Sequence, residues 1–305
     1  MIFSKDKEKL SIKKEINFKL EKDLQKLVEE NLEDIFGLEF VATEFSIEGY
    51  RFDSVAFNRE TNSFVIIEYK RGRNESLVDQ GYAYLYTLLD RKADFVLLYN
   101  EAFKKAKGLK DFEWSQTRII FVSPQFTDYQ KNATAFINMP FELYEVKQYE
   151  GNIISVNEIN SNKTAVESRV INKSHEKDEK ISKVSKEIVV YTEEGLLKGG
   201  SDLTRELYSI LKERVLELGD IKVEPKKLYI AFKGKSNICD VVIKKGNLTV
   251  YLNVKEGCLV DPQGNAQMIK DIGHWGNGDY RAIFDNEESI DYLMTLIRQS
   301  YKVNS

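Results

Sequence analysis

Arg51-Phe52-Asp53-Ser54-Val55, then Val65-Ile66-Ile67-Glu68-Tyr69-Lys70, is the stretch whose reading decides the fold. Both runs are rich in β-branched and aromatic residues. Arg59-Glu60-Thr61-Asn62 reads as a hairpin loop joining a strand over 51–58 to one over 63–70. Side chains alternate along a strand, so Glu68 and Lys70 share a face with Ile66, while Ile67 and Tyr69 share the other. Asp53, on the adjacent strand, can reach the face of Glu68. Fourteen residues separate Asp53 from Glu68, and one separates Glu68 from Lys70. Charges inside apolar strands are costly unless they pair or hold a cation. The triplet therefore has two readings. One is a buried ion pair, or Lys70 already past the strand end in solvent. The other is a site that cuts phosphodiesters: two carboxylates hold a hard cation, and a lysine stabilises charge on the phosphate.

Outward from the triplet, Leu20, Leu24, Leu27, Val28 and Ile35 recur at helical spacing, which predicts a helix over 15–36 that stops at Gly37. A strand is expected over 40–46, a second helix over 76–89, and further strands over 95–99, 118–122 and 141–148. This order gives an α/β core, a mixed sheet flanked by helices. On the second helix Gln80 and Tyr84 fall at i and i+4, on one face. On the first, Glu21 lies near the edge of the apolar face and Glu30 well away from it, so Glu21 is the better inward-pointing carboxylate. The bland alternative for both helices is an ordinary amphipathic surface.

The bulk numbers narrow the class. With 305 residues, 42% hydrophobic and 31% charged, the chain has room for two domains and reads as soluble. No apolar run approaches the roughly 18 residues that cross a bilayer. The first fourteen residues are polar and Lys-rich, unlike a secretory signal. Cys239 and Cys258 form no CxxC pair, and the histidines are His175 and His274 alone. A disulfide framework, a zinc site and paired-histidine chemistry are thereby set aside, and a reducing cytoplasm is expected. Net charge is −4, and residues 1–150 hold 22 basic against 26 acidic side chains. Contact with phosphates must therefore use a local patch, for which Arg51, Lys70, Arg71 and Arg73 are the candidates. The composition predicts a first domain over 1–150, a charged linker over 151–187, most polar between about Val156 and Lys186, and a second, smaller α+β domain over 188–305.

Leu20-Glu21-Lys-Asp-Leu-Gln, Asn31-Leu, Arg51-Phe-Asp53, Ile67-Glu68-Tyr-Lys70-Arg71 and Gln80-Gly-x-x-Tyr84, in this order, resemble the PD-(D/E)xK nuclease superfamily. The branch looks similar to the archaeal and actinobacterial mismatch and single-strand endonucleases. The likeness covers about residues 15–100. It implies a restriction-endonuclease-like core and an endonuclease dependent on Mg²⁺ or Mn²⁺, acting on nucleic acid, DNA before RNA, in defence, restriction or repair. It also implies that Asp53 and Glu68 bind metal, Lys70 is catalytic, and Glu21, Gln80 and Tyr84 support them. Phe52 stands where the superfamily name has proline, a departure this superfamily often tolerates. A nuclease-fold module that binds nucleic acid or a protein without cutting is the alternative.

Residues 190–303 resemble a domain of unknown function found behind nuclease-like domains, in proteins sometimes labelled as transport proteins. Nothing in this sequence supports a membrane passage. Gly273-His274-Trp275-Gly-Asn-Gly-Asp279 is not followed by Gly-Lys-Ser/Thr and so is no phosphate-binding loop. His274 and Trp275 are candidates for a recognition loop, with a packing anchor as the bland reading. This half is expected to take a protein partner or a second copy of the chain. Asp240 and Asn253-Val-Lys255 echo the first triplet with Asn in place of Glu, a poor ligand set to which no catalysis is assigned.

Overall fold

The structure is a computed structural model, and it describes residues 1–71, 77–135, 140–159, 184–269 and 276–305. The chain divides into two compact units, Met1–Val190 and Tyr191–Ser305.

The first unit is built on a seven-stranded mixed sheet. Its strands are β3 (Glu15–Ile16), β4 (Glu39–Ile47), β5 (Tyr50–Asn58), β6 (Ser63–Tyr69), β7 (Arg118–Ser123), β8 (Phe141–Tyr149) and β9 (Ile153–Glu158). β4, β5 and β6 form an antiparallel meander, and β6, β7 and β8 run parallel. Along β6 every residue is buried, and alternate side chains feed two cores. Phe64 and Ile66 enter an aromatic core with α3 (Leu77–Asp90) and α4 (Lys92–Phe103). Val65, Ile67 and Tyr69 enter a second core with α1 (Glu21–Glu29) and α2 (Leu32–Phe36). A strand covered on both faces reads as one continuous apolar run, which is why 63–69 stands out in the sequence. A shorter helix, α5 (Asp128–Ala135), follows β7. A separate two-stranded sheet, β1 (Ile2–Asp6) with β2 (Lys9–Lys13), precedes β3.

Three expectations need correction. The helix predicted over 15–36 is a short strand and two helices. Asn31 Nδ2 takes the Leu27 carbonyl at 2.7 Å and interrupts the run. The strand predicted over 95–99 is the middle of helix α4, with Phe95, Val96 and Tyr99 buried; a short apolar run does not distinguish the two. Finally, the predicted linker starts too early. Residues 153–158 are strand β9, paired with β8 from Tyr144 to Tyr149. At its far end Val184 and Ile188 are buried in the aromatic core, and Val189 N–H donates to the Ser115 carbonyl at 3.1 Å. Residues 160–183 lie outside the described residues.

The second unit is a six-stranded antiparallel sheet: β10 (Lys222–Pro225), β11 (Ile230–Lys233), β12 (Asn237–Ile243), β13 (Leu248–Leu252), β15 (Tyr280–Phe284) and β14 (Ala266–Met268), in that spatial order. α6 (Glu193–Leu197) precedes it. α7 (Asp202–Leu216) and α8 (Ile290–Asn304) supply Leu207, Leu211, Met294 and Ile297 to one core with Ile230, Val241 and Val250. The echo of the triplet is structural. Asp240, fully buried, accepts from Asn237 Nδ2 at 3.0 Å and Asn277 Nδ2 at 2.9 Å. Asn253 Nδ2 donates to the Asn237 carbonyl at 2.7 Å. Gly278 has φ +88, and a Cβ there would strike the Leu252 carbonyl, so only glycine fits this close approach. His274 and Trp275 lie outside the described residues. Among the described residues no helix is long and apolar enough to cross a membrane.

Candidate active site

The strand pairing sets the site. β5 and β6 stay in register from Asn58/Ser63 to Ser54/Ile67 and then part. At the opening the Asp53 side chain takes over from the backbone ladder: its Oδ2 accepts from Tyr69 N–H at 3.1 Å. Glu68, one residue before Tyr69, is 3% exposed. Its Oε1 accepts from Lys70 Nζ at 2.7 Å and from Gln80 Nε2 at 2.5 Å. Gln80 is oriented in turn by Tyr84, whose hydroxyl lies 2.9 Å from its amide and donates to the Arg51 carbonyl at 2.8 Å. Helix α3 thus clamps the end of β6 to the start of β5. Glu68 Oε2 is buried and has no hydrogen-bond partner among the described residues.

These groups line one open cleft of about 540 Å³, with Asp53, Glu68 and Lys70 on its floor and Glu21, Arg51 and Tyr84 around it. Burial pushes the Glu68 carboxyl up to about 7, and the charge of Asp53 adds to the rise against the pull of Lys70 and Gln80. The Asp53 carboxyl is raised too, by burial first, with the Tyr69 N–H and Lys70 opposing. Burial raises the Tyr84 hydroxyl, which stays protonated.

Glu21, at the start of α1, is exposed, and its Oε2 accepts from Arg71 N–H at 2.8 Å. The Arg71 guanidinium donates to the Lys19 carbonyl. Arg51 is exposed at the cleft. Arg73 lies outside the described residues. Among those described, no group of three His, Cys, Asp or Glu side chains gathers as a metal site. Glu21 is the third acid that lines the cleft, and its charge adds to the rise of the Asp53 carboxyl.

One residue the sequence reading passed over is Gln25. It is buried on α1, and its amide donates to the Asp53 carbonyl at 2.9 Å, to Thr43 Oγ1 at 3.1 Å and to Glu29 Oε1 at 3.0 Å. The sequence signal was there: an amide beside Leu24 in the apolar stripe, one turn after Glu21.

An uncharacterized protein of Haemophilus influenzae is 45% identical over 302 residues, spanning 99% of both chains. The chain belongs to that protein's family. Residues 193–304 match the domain of unknown function DUF5655. Among solved structures, a repair endonuclease from Pyrococcus abyssi is 20% identical over 42% of this chain and 48% of its own, with a TM-score of 0.27. An EndoMS–double-stranded DNA complex is 20% identical over 47% and 49%, with a TM-score of 0.26. The chain spans about half the length of these two structures.

Proposed function

We propose that the first unit is a Mg²⁺- or Mn²⁺-dependent endonuclease that hydrolyses nucleic-acid phosphodiesters, DNA before RNA. The observation that carries this is the bare oxygen of a buried carboxylate. Glu68 Oε2 has no partner among the described residues, while Asp53 raises its proton affinity from across the same cleft. Two adjacent carboxyl groups that resist ionisation together fit a divalent cation, which one or two carboxylates plus waters and phosphate oxygens can hold. Asp53 and Glu68 would be the ligands. When bound, the cation supplies Lewis acidity toward the phosphate and lowers the pKa of water.

The chain's own residues do the rest. Gln80 and Tyr84 fix the orientation of Glu68. Lys70 carries a positive charge at the cleft floor, where a pentacovalent phosphate gains charge. Arg51 and Arg71 stand at the opening to meet flanking phosphates. The second reading is a nuclease-fold module that binds without cutting; Glu21, which lines the cleft, is held by the Arg71 N–H rather than by the carboxylate pair.

A cleavage screen with Mg²⁺ and Mn²⁺ against plasmid, single-stranded, flap and RNA substrates tests the proposal. Asp53→Asn and Lys70→Met are expected to lower cleavage by roughly 10³-fold or more, as loss of a metal ligand or a charge-stabilising group does, with the fold intact by circular dichroism. Parent-like cutting by both variants would remove the assignment. Binding without any cleavage by the parent chain would favour the second reading.

A further inference from the structure

We propose that the N-terminal hairpin is an arm that grips the phosphate backbone of duplex nucleic acid beside the cleft, an inference that rests on the phosphodiesterase reading above. Among the described residues β1 and β2 pair with each other alone, in the register Ile2↔Lys13, Phe3↔Ile12 and Lys5↔Leu10. In a chain of net charge −4, residues 1–14 carry Lys5, Lys7, Lys9, Lys13 and Lys14 against Asp6 and Glu8. Lys7 forms the tip with φ 53, a left-handed conformation that glycine or asparagine adopts at lower cost. The turn, Lys7 with Glu8, holds a cation beside an anion, and the excess positive charge of the hairpin lies on Lys5, Lys9, Lys13 and Lys14.

The topology sends this ribbon out past the end of the sheet at which the cleft opens. β9 occupies one edge of β8 from Tyr144 to Tyr149. β3, paired with Gln148 and Tyr149, must use the other edge, which β7 uses as far as Glu145. β3 therefore continues the line of β7, one strand spacing of about 4.8 Å from the line of β6. Lys70 and Arg71 stand at the end of β6. The chain then returns to the cleft mouth, where the Lys19 carbonyl and the Glu21 carboxylate hold Arg71.

The occupant follows from charge and shape. A two-stranded ribbon is narrow enough for a duplex major groove. Alternation puts Lys5 on one face, Lys9 and Lys13 on the other, and Lys7 at the tip, so cations face both walls of such a groove. The apolar side chains Phe3, Leu10 and Ile12 are 47%, 65% and 52% exposed and lie on one face only. A flat partner, such as a second copy, would use that face and leave the other lysines idle.

The test uses the full-length chain in EDTA and labelled duplex DNA and duplex RNA, with binding read by anisotropy across a salt series. Lys5→Gln/Lys7→Gln/Lys9→Gln is expected to weaken binding roughly tenfold and to lower the salt slope by about 2 to 3, since each lost phosphate contact removes about 0.9. Phe3→Ser/Leu10→Ser/Ile12→Ser should keep most of that slope. None of these side chains belongs to a core cluster, so both variants are expected to fold. Parent-like affinity and slope in the lysine variant overturn the arm. So does a serine variant that halves the mass in light scattering while the lysine variant binds normally. That result assigns the hairpin to self-association. A parent that cuts nucleic acid while the lysine variant is unchanged removes the arm alone. A parent that binds neither duplex overturns the arm, and the cleavage screen with metal then decides the proposed function separately.

Discussion

Among the described residues Glu68 keeps one oxygen on Lys70 and Gln80 and leaves the other without a hydrogen-bond partner. That asymmetry has a measurable cost without metal. A carboxyl raised to about 7 holds its proton more tightly folded than unfolded. Its contribution to stability is complete below the ordinary glutamate value of 4.5 and is lost as pH rises through about 7. Asp53, also raised, acts with the same sign. In EDTA the parent should therefore melt lower than Glu68→Gln by roughly 5 °C near pH 8, with the gap closing near pH 5. Equal melting curves at both pH values would show that the pair is not strained. Mg²⁺ should raise the parent's melting temperature at about pH 8 and not the variant's. At this scale the triplet was legible, because carboxylates and a lysine inside apolar strands are conspicuous. Gln25 stood out only as an amide in the apolar stripe; its partner, the Asp53 backbone, was not legible, because no spacing rule encodes a contact across 28 residues.

Helix α3 carries Gln80 and Tyr84 on one side and packs against β8 on another. The residue between them and the sheet is Gly81. A Cβ there would lie 2.6 Å from Phe141 Cζ, and Phe141 is itself packed edge-on against Phe121. The absence of a side chain thus sets how close α3 lies to the sheet. Gly81→Ala should cost about 1–3 kcal/mol through overpacking. It should also lower kcat at least a few-fold, because Gln80 moves with the helix. Urea denaturation and steady-state cleavage measure the two effects; an unchanged rate in a destabilised variant would separate helix position from chemistry. Element types came from periodicity where a segment was long. They failed at Phe95–Tyr99, where five apolar residues fit either period. They failed again at Asn31, where one side chain splits a continuous stripe.

The two units were visible as a change of composition, but the boundary was not. The polarity of residues after 150 suggested that the first domain had ended. Strand β9 and the return of Val184 and Ile188 to the aromatic core show that it had not. Two truncations separate these boundaries. We expect residues 1–190 to fold cooperatively and to keep the proposed cleavage activity. Residues 1–150 lose β9 and two core side chains and are expected to be unfolded or to melt at least about 10 °C lower, as a cost of several kcal/mol implies. Differential scanning fluorimetry of the two proteins decides, and equal melting temperatures would restore the earlier boundary. For the second unit the sequence offered only the His274-Trp275 loop, which reads more readily as a packing anchor than as a recognition surface.

The chain leaves the first unit's sheet at Ile159, whose N–H donates to the Leu143 carbonyl at 2.8 Å, and re-enters the same unit at Val184. Val184 and Ile188 therefore complete the same body to which β9 belongs. A chain cut between Ile159 and Val184 would keep Val184 and Ile188 lodged in that core as part of a second covalent piece. Such a nicked chain would behave as one particle until denatured, and the C-terminal unit would stay attached through a plug rather than through a peptide bond.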